Sequence, residues 1–138
     1  MSSVPTPQHV DGPGWRSAST WWWVAGATTL VTLVYGTVYW TTPYSDLDIG
    51  SVTLAVYAAA ALPVVVLRAL GVAPFLLSAA VSPAGLVGVV IVRVAVDVST
   101  DPTSHSLWPF EIVIAGVVGA FWGLVAAGLG ELVLRLRR

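Results

Sequence analysis

Apolar and polar positions along the chain alternate in long blocks rather than in short periods. Four apolar runs, residues 21–40, 51–67, 75–96 and 109–134, are separated by short polar turns. Crossing the hydrocarbon core of a bilayer takes about 20 mostly apolar residues per helix. The first run meets this with 20 residues and no charge, while 51–67 is the shortest of the four. Because lipid offers backbone groups no hydrogen-bond partners, apolar runs of this length predict helices that satisfy themselves. The expected fold is therefore all-α: a polytopic membrane protein with a four-transmembrane-helix bundle over residues 21–138. Residues 1–20 combine Pro5, Pro7, Gly12, Pro13 and Gly14 with Ser and Thr and show no apolar period, which predicts a disordered tail with a solvated His9. No small-residue cleavage pattern follows the first run, so it reads as a span and not as a cleaved signal.

Each run carries its own signals. Trp21, Trp22 and Trp23 open the first span and Tyr39 and Trp40 close it, the pattern of aromatic belts at two interfaces. Inside it Thr28, Thr32, Tyr35 and Tyr39 fall on one helical face. That face reads either as a hydrated or ligand-lined surface, or as inter-helix hydrogen bonding with each Thr bonding to its own preceding turn. In the loop 41–50, Asp46 and Asp48 form a DxD pair, but cation sites of that kind take about six oxygens. The competing reading is that Asp48 or Ser51 caps the next helix. Pro63 and Pro83 predict bends in the second and third spans, and Pro83 leaves the carbonyl of Ala79 without its usual donor. Gly71 marks a tight turn over 68–74, and Pro109 is a favoured first-turn residue of the fourth helix. Along that helix Gly116, Gly119, Gly123 and Gly130 lie close to one stripe, with Gly119 and Gly123 spaced as GxxxG. Such a pair lets two backbones approach closely, either between two chains or within one bundle.

Composition sharpens the class. The 138 residues are 57% hydrophobic and 9% charged, where soluble domains hold about 25% charged residues. Net charge is −1 and no basic block occurs, so the electrostatic footprint of a nucleic-acid binder is missing. The absence of Cys removes disulfides, thiolate metal sites and Cys nucleophiles. All six basic residues are Arg, a bias that points to GC-rich codons and a prokaryotic source. With four spans, Arg16, Arg68, Arg135, Arg137 and Arg138 share one side, whereas Asp46, Asp48, Asp97 and Asp101 face the other with Arg93 at its edge. The positive-inside rule then puts both termini in the cytoplasm of a multi-pass cell-membrane protein, and three spans would split the Arg set.

The remaining chemistry is concentrated between Arg93 and Glu111, which also hold Asp97, Asp101 and His105. Arg93 and Asp97 stand four residues apart on one helix, and Glu111 lies in the first turn of the next, so an ion pair of Arg93 with Asp97 or Glu111 is expected. In the structural reading Glu111 complements the positive end of its helix and His105 is a loop residue. In the functional reading the cluster is an ion or proton entry site, with His105 titrating near neutral pH. Glu131 and Arg135 form a second i, i+4 pair. No GxSxG elbow, HExxH or phosphate-cradling GK[ST] loop is present, and no enzyme activity, cofactor or metal site is expected. The acidic residue that small multidrug exporters carry in mid first span is missing, and the chain has no Asn for the Asn and Phe pattern of fluoride channels. The expected role is an accessory, scaffold or assembly subunit of the lipid bilayer, associating with itself or a larger membrane-protein partner through the Gly stripe. The alternative is a small transporter or channel whose outer site is Arg93, Asp97 and Glu111.

Overall fold

The computed structural model describes residues 17–42, 53–100 and 107–138, and among them every regular element is helical. The four helices are α1 (Ala18–Tyr39), α2 (Leu54–Ala69), α3 (Phe75–Thr100) and α4 (Trp108–Leu136). Residues 18–20, placed in the tail by composition, belong to α1. The reason is local: the Ser17 side chain accepts from the Thr20 N–H at 3.3 Å and starts the helix before the first Trp. Thr53 precedes α2, so neither Asp48 nor Ser51 occupies the cap position, and both lie outside the described residues. Helices α2 and α3 continue through Pro63 and Pro83 as single elements. Two helices, α3 with 26 residues and α4 with 29, are long and apolar enough to cross a membrane. Helix α2 is apolar but has only 16 residues.

The helices form a four-sided bundle. Helices α1 and α4 stand on one diagonal, each packed against both α2 and α3, while α2 and α3 meet less extensively. The α2–α3 connection is a Schellman turn, in which the Gly71 N–H donates to the Arg68 carbonyl at 2.9 Å and the Val72 N–H to the Leu67 carbonyl at 3.3 Å. Gly71 sits at φ +66°, a left-handed conformation that glycine adopts without strain. Thr20 of α1 donates to the Val72 carbonyl at 3.3 Å and so ties the start of α1 to this turn.

The interior is built from small side chains. Ala27, Val31, Ala60, Val64, Ala79, Val81, Val89, Ala126 and Ala127 are buried, together with Tyr35 and Leu67. The large apolar side chains face outward instead, among them Trp22, Leu76, Phe110, Val117 and Phe121. Small residues inside let helix backbones approach closely, as they do where lipid supplies no hydrophobic drive between helices.

Helices α3 and α4 approach closely around Pro83. A Cβ at Gly119 would lie 2.5 Å from the Pro83 Cα, and one at Gly123 would run into the Ala79 carbonyl oxygen. Pro83 carries no N–H, so the Ala79 carbonyl four residues earlier lacks its helical donor. The Gly123 backbone seats itself on that carbonyl, where its Cα–H can serve as a weak donor. Further along, a Cβ at Gly130 would meet Val65 O and Arg68 Cβ of α2, each at 2.7 Å. Gly116 is looser, with Val87 Cγ2 at 3.9 Å as its neighbour. All four stripe glycines therefore face α3 or α2 of the same chain, three of them too tightly for a Cβ.

Replacing Gly123 by Leu is expected to lower stability by about 1–3 kcal/mol or more, since the intrusion falls on backbone rather than on a flexible side chain. Gly128→Ala, which meets nothing within 4 Å, is expected to be neutral or slightly stabilising. Unfolding in bilayer-mimetic micelles measures both, and equal losses would contradict the packing described.

Candidate functional site

The charged residues single out the two ends of the bundle. At the end where α1 finishes and α4 begins, Arg93 projects from α3 with its side chain 11% exposed. Its guanidinium donates to the carbonyl of Tyr39 and, at 3.2 Å, to that of Thr42. These are carbonyls at and just beyond the end of α1, which a helix cannot satisfy by itself. Arg93 Nε also donates to Asp97 Oδ2 at 3.4 Å, and the guanidinium carbon lies 5.0 Å from the centre of the Tyr39 ring. The geometry is that of a C-cap supplied by a neighbouring helix, with a cation favoured at the negative end of the α1 dipole.

Glu111, in the first turn of α4, also reaches α1. Its Oε2 accepts from the Tyr39 hydroxyl at 3.2 Å across the diagonal of the bundle. Of the two partners expected for Arg93, Asp97 is the one seen, and both it and Glu111 belong to one cluster centred on Tyr39. His105 and Asp101 lie outside the described residues. Alongside, the Trp40 indole N–H donates to Val89 O at 3.2 Å and pins the end of α1 to α3.

At the opposite end Arg68 does for the α2–α3 turn what Arg93 does for α1. Its Nη1 donates to Ala73 O at 3.0 Å, and its Nε donates to Glu131 Oε2 at 2.7 Å, with Nη2 on the same oxygen. Glu131 also accepts from Arg135 Nε at 2.9 Å, so the anticipated i, i+4 pair exists but is the more solvated half of a triad, Arg135 being 75% exposed. Ser78 adds its hydroxyl to the same turn, donating to Pro74 O at 3.2 Å. The cross-helix pair between Arg68 and Glu131 spans 63 positions in sequence and has no local signature.

The polar face of α1 divides by role. Thr28 donates to Val24 O at 2.9 Å, within its own helix. Thr32 donates to Thr28 O at 2.9 Å and also to Gly85 O of α3 at 3.3 Å. Gly85 itself packs against Val31, whose Cγ1 would be 2.5 Å from an added Cβ. Tyr35 is different: 5% exposed, its hydroxyl has no hydrogen-bond partner among the described residues.

Among the described residues no group of three or more His, Asp or Glu side chains comes together as a metal site. A groove of about 420 Å³ opens between α1 and α2, lined by Trp23, Gly26, Leu30, Pro63, Val66 and Leu70. Its lining is apolar, and the Thr29 hydroxyl beside it is engaged with Ala25 O at 2.9 Å. No protein-family model, no curated protein and no solved structure matches this chain.

If Arg93 is chiefly a cap for α1, Arg93→Met should cost about 1.5–3 kcal/mol, the scale of charge-assisted hydrogen bonds lost. Asp97→Asn should cost under about 1 kcal/mol, because that pair is long and Asp97 is a third exposed. Equal losses in detergent unfolding would show instead that the ion pair, and not the capping, is the main contribution.

Proposed function

We propose that this chain is a four-span integral membrane protein with both termini cytoplasmic, acting as an accessory, scaffold or assembly subunit. The observation that carries this reading is the distribution of side-chain size. Ala and Val make up most of the interior, while Phe110, Phe121, Leu124 and Leu132 lie on the outward face of α4. Contiguous exposed apolar surface marks a protein or membrane interaction site. It suits acyl chains or another helix. The GxxxG pair is occupied by α3, so the surface offered for association is the opposite side of α4.

The charges support an architectural role over a transport role. Arg93, Asp97, Arg68 and Glu131 hold helix ends and a turn, which is how charges in membrane proteins are kept out of lipid. Helix α1 has the length for a span, and its aromatic ends suit two interfaces. The short α2 suits a span completed by its polar flanks. The transport reading keeps one supporting contact, the Tyr39 to Glu111 hydrogen bond at the proposed outer end.

Because the chain has no Cys, single cysteines report topology without a background. Ser3→Cys and Arg138→Cys should react with a membrane-impermeant maleimide only after the cytoplasmic side is opened, and Asp46→Cys and His105→Cys in intact cells. Reaction of the two termini from opposite sides would exclude four spans.

The role is tested by photo-crosslinking amino acids on α4 in native membranes. Positions 117 and 121 should form protein adducts and position 123 should not. Absence of adducts at 117 and 121, together with an ion or proton flux in proteoliposomes that Glu111→Gln removes, would replace the accessory role with transport.

A further inference from the structure

The groove between α1 and α2 has the volume of a ligand cleft, about 420 Å³ against the roughly 300–1,000 Å³ usual for small-molecule sites. Its lining is apolar. Gly26 opens the α1 wall, since a Cβ there would meet nothing within 4 Å, and the Thr29 hydroxyl beside it is engaged with its own helix at Ala25 O. The groove is also short. Trp23 to Leu30 on α1 and Pro63 to Leu70 on α2 are each seven positions apart, which is about 10 Å of helix. A hydrocarbon core about 30 Å thick gives each leaflet about 15 Å, so a groove of this length that starts at the α2–α3 turn stays within one leaflet. That is the room an acyl chain takes. A partner helix would instead need a face continued over about 20 residues.

Charge selects the headgroup. Among the described residues, the end of the bundle at the α2–α3 turn carries Arg68, Arg135, Arg137 and Arg138 against a single carboxylate side chain, Glu131. Arg68 and Arg135 share that carboxylate, and Arg137 and Arg138 follow as exposed residues. Leu134 brings this last turn of α4 up to the mouth of the groove: its Cδ1 would lie 3.8 Å from a Cβ at Gly71, which stands between the lining residues Leu70 and Val72. The opposite end differs in sign, with Asp97 and Glu111 gathered around Arg93 and Tyr39. Arginines in excess at the mouth of an apolar groove are complementary to a phosphate that heads an acyl chain. We infer that the α1–α2 groove binds one acyl chain of an anionic phospholipid, whose phosphodiester is held at the Arg137 and Arg138 end of the bundle. The site depends on the membrane-spanning reading of the chain and is independent of whether its role is accessory or transport.

Native mass spectrometry of the full chain, released from detergent micelles supplied with phosphatidylglycerol or with phosphatidylcholine of the same acyl chains, tests the site. The chain should retain one phosphatidylglycerol, about tenfold or more tighter than phosphatidylcholine. Gly26→Leu fills open space in the groove and should weaken that binding about tenfold, the effect of keeping about two methylenes from burial. Gly128→Leu makes the same change on the open surface of α4 and should leave binding unchanged. Arg137→Gln with Arg138→Gln should weaken phosphatidylglycerol about fivefold for each Arg removed and leave phosphatidylcholine as it was. Equal losses in Gly26→Leu and Gly128→Leu mean non-specific surface lipid and overturn the site, as does equal retention of the two lipids. A dimer that Gly26→Leu dissociates puts a second copy in the groove, and overturns it too. A detergent-dependent chain that retains no phosphatidylglycerol overturns the site alone, whereas a chain that stays dissolved without detergent overturns the membrane reading and the site together.

Discussion

The contact on which the bundle depends is the backbone meeting of α3 and α4 at Pro83. Proline removes a donor from one helix, and glycines on the other remove the side chains that would keep it away. Gly119 lies on Pro83 and Gly123 on the carbonyl that Pro83 leaves without a donor, so defect and access coincide. With 3.6 residues per turn, this face of α4 returns near residue 130, where Gly130 seats against Val65 and Arg68 of α2. Together the three glycines set both the rotation and the register of α4. That register puts Glu131 beside Arg68, so an ion pair at one end follows from a packing contact well inside the bundle.

The bundle's ends show how few charges a helical protein needs when each serves several groups. A helix leaves up to four carbonyls unsatisfied at its C-terminus. Arg93 reaches the carbonyls of Tyr39 and Thr42 with one side chain while neutralised by Asp97, and Arg68 combines a turn carbonyl with Glu131. Each guanidinium is planar and carries five donors, which a Lys ammonium in the same place does not match. The composition, with Arg as the only cation, is put to structural use at these positions.

Much of the architecture was legible in the sequence. Run lengths separated by Pro, Gly and polar turns located four helices, because each element's hydrophobic content is a local property. Ends were less legible: α3 continues to Thr100 and α1 starts at Ala18, since the fraying of a helix depends on caps and on partners elsewhere. The GxxxG pair was visible, but not which surface it would meet, because Pro83 and Gly119 carry no mark of their pairing. The ion pairs divide the same way. Arg93 with Asp97 and Glu131 with Arg135 follow from helical spacing, whereas Arg68 with Glu131 and Tyr39 with Glu111 are joined only by tertiary structure. The capping role of Arg93 was hidden because backbone carbonyls are the same in every sequence. Tyr35 was placed on the right face, yet its unpartnered hydroxyl is a property of the packed bundle alone.

The Arg93 cap also has a consequence for synthesis. The carbonyls it holds belong to the first helix, but the arginine is 54 residues beyond Tyr39 in the chain. While the chain is being made, the end of α1 lacks the Arg93 guanidinium until α3 has emerged. Its terminal geometry is therefore completed late, after the α2–α3 turn has been made. The end of one helix is thus completed by a residue that the chain supplies two helices later.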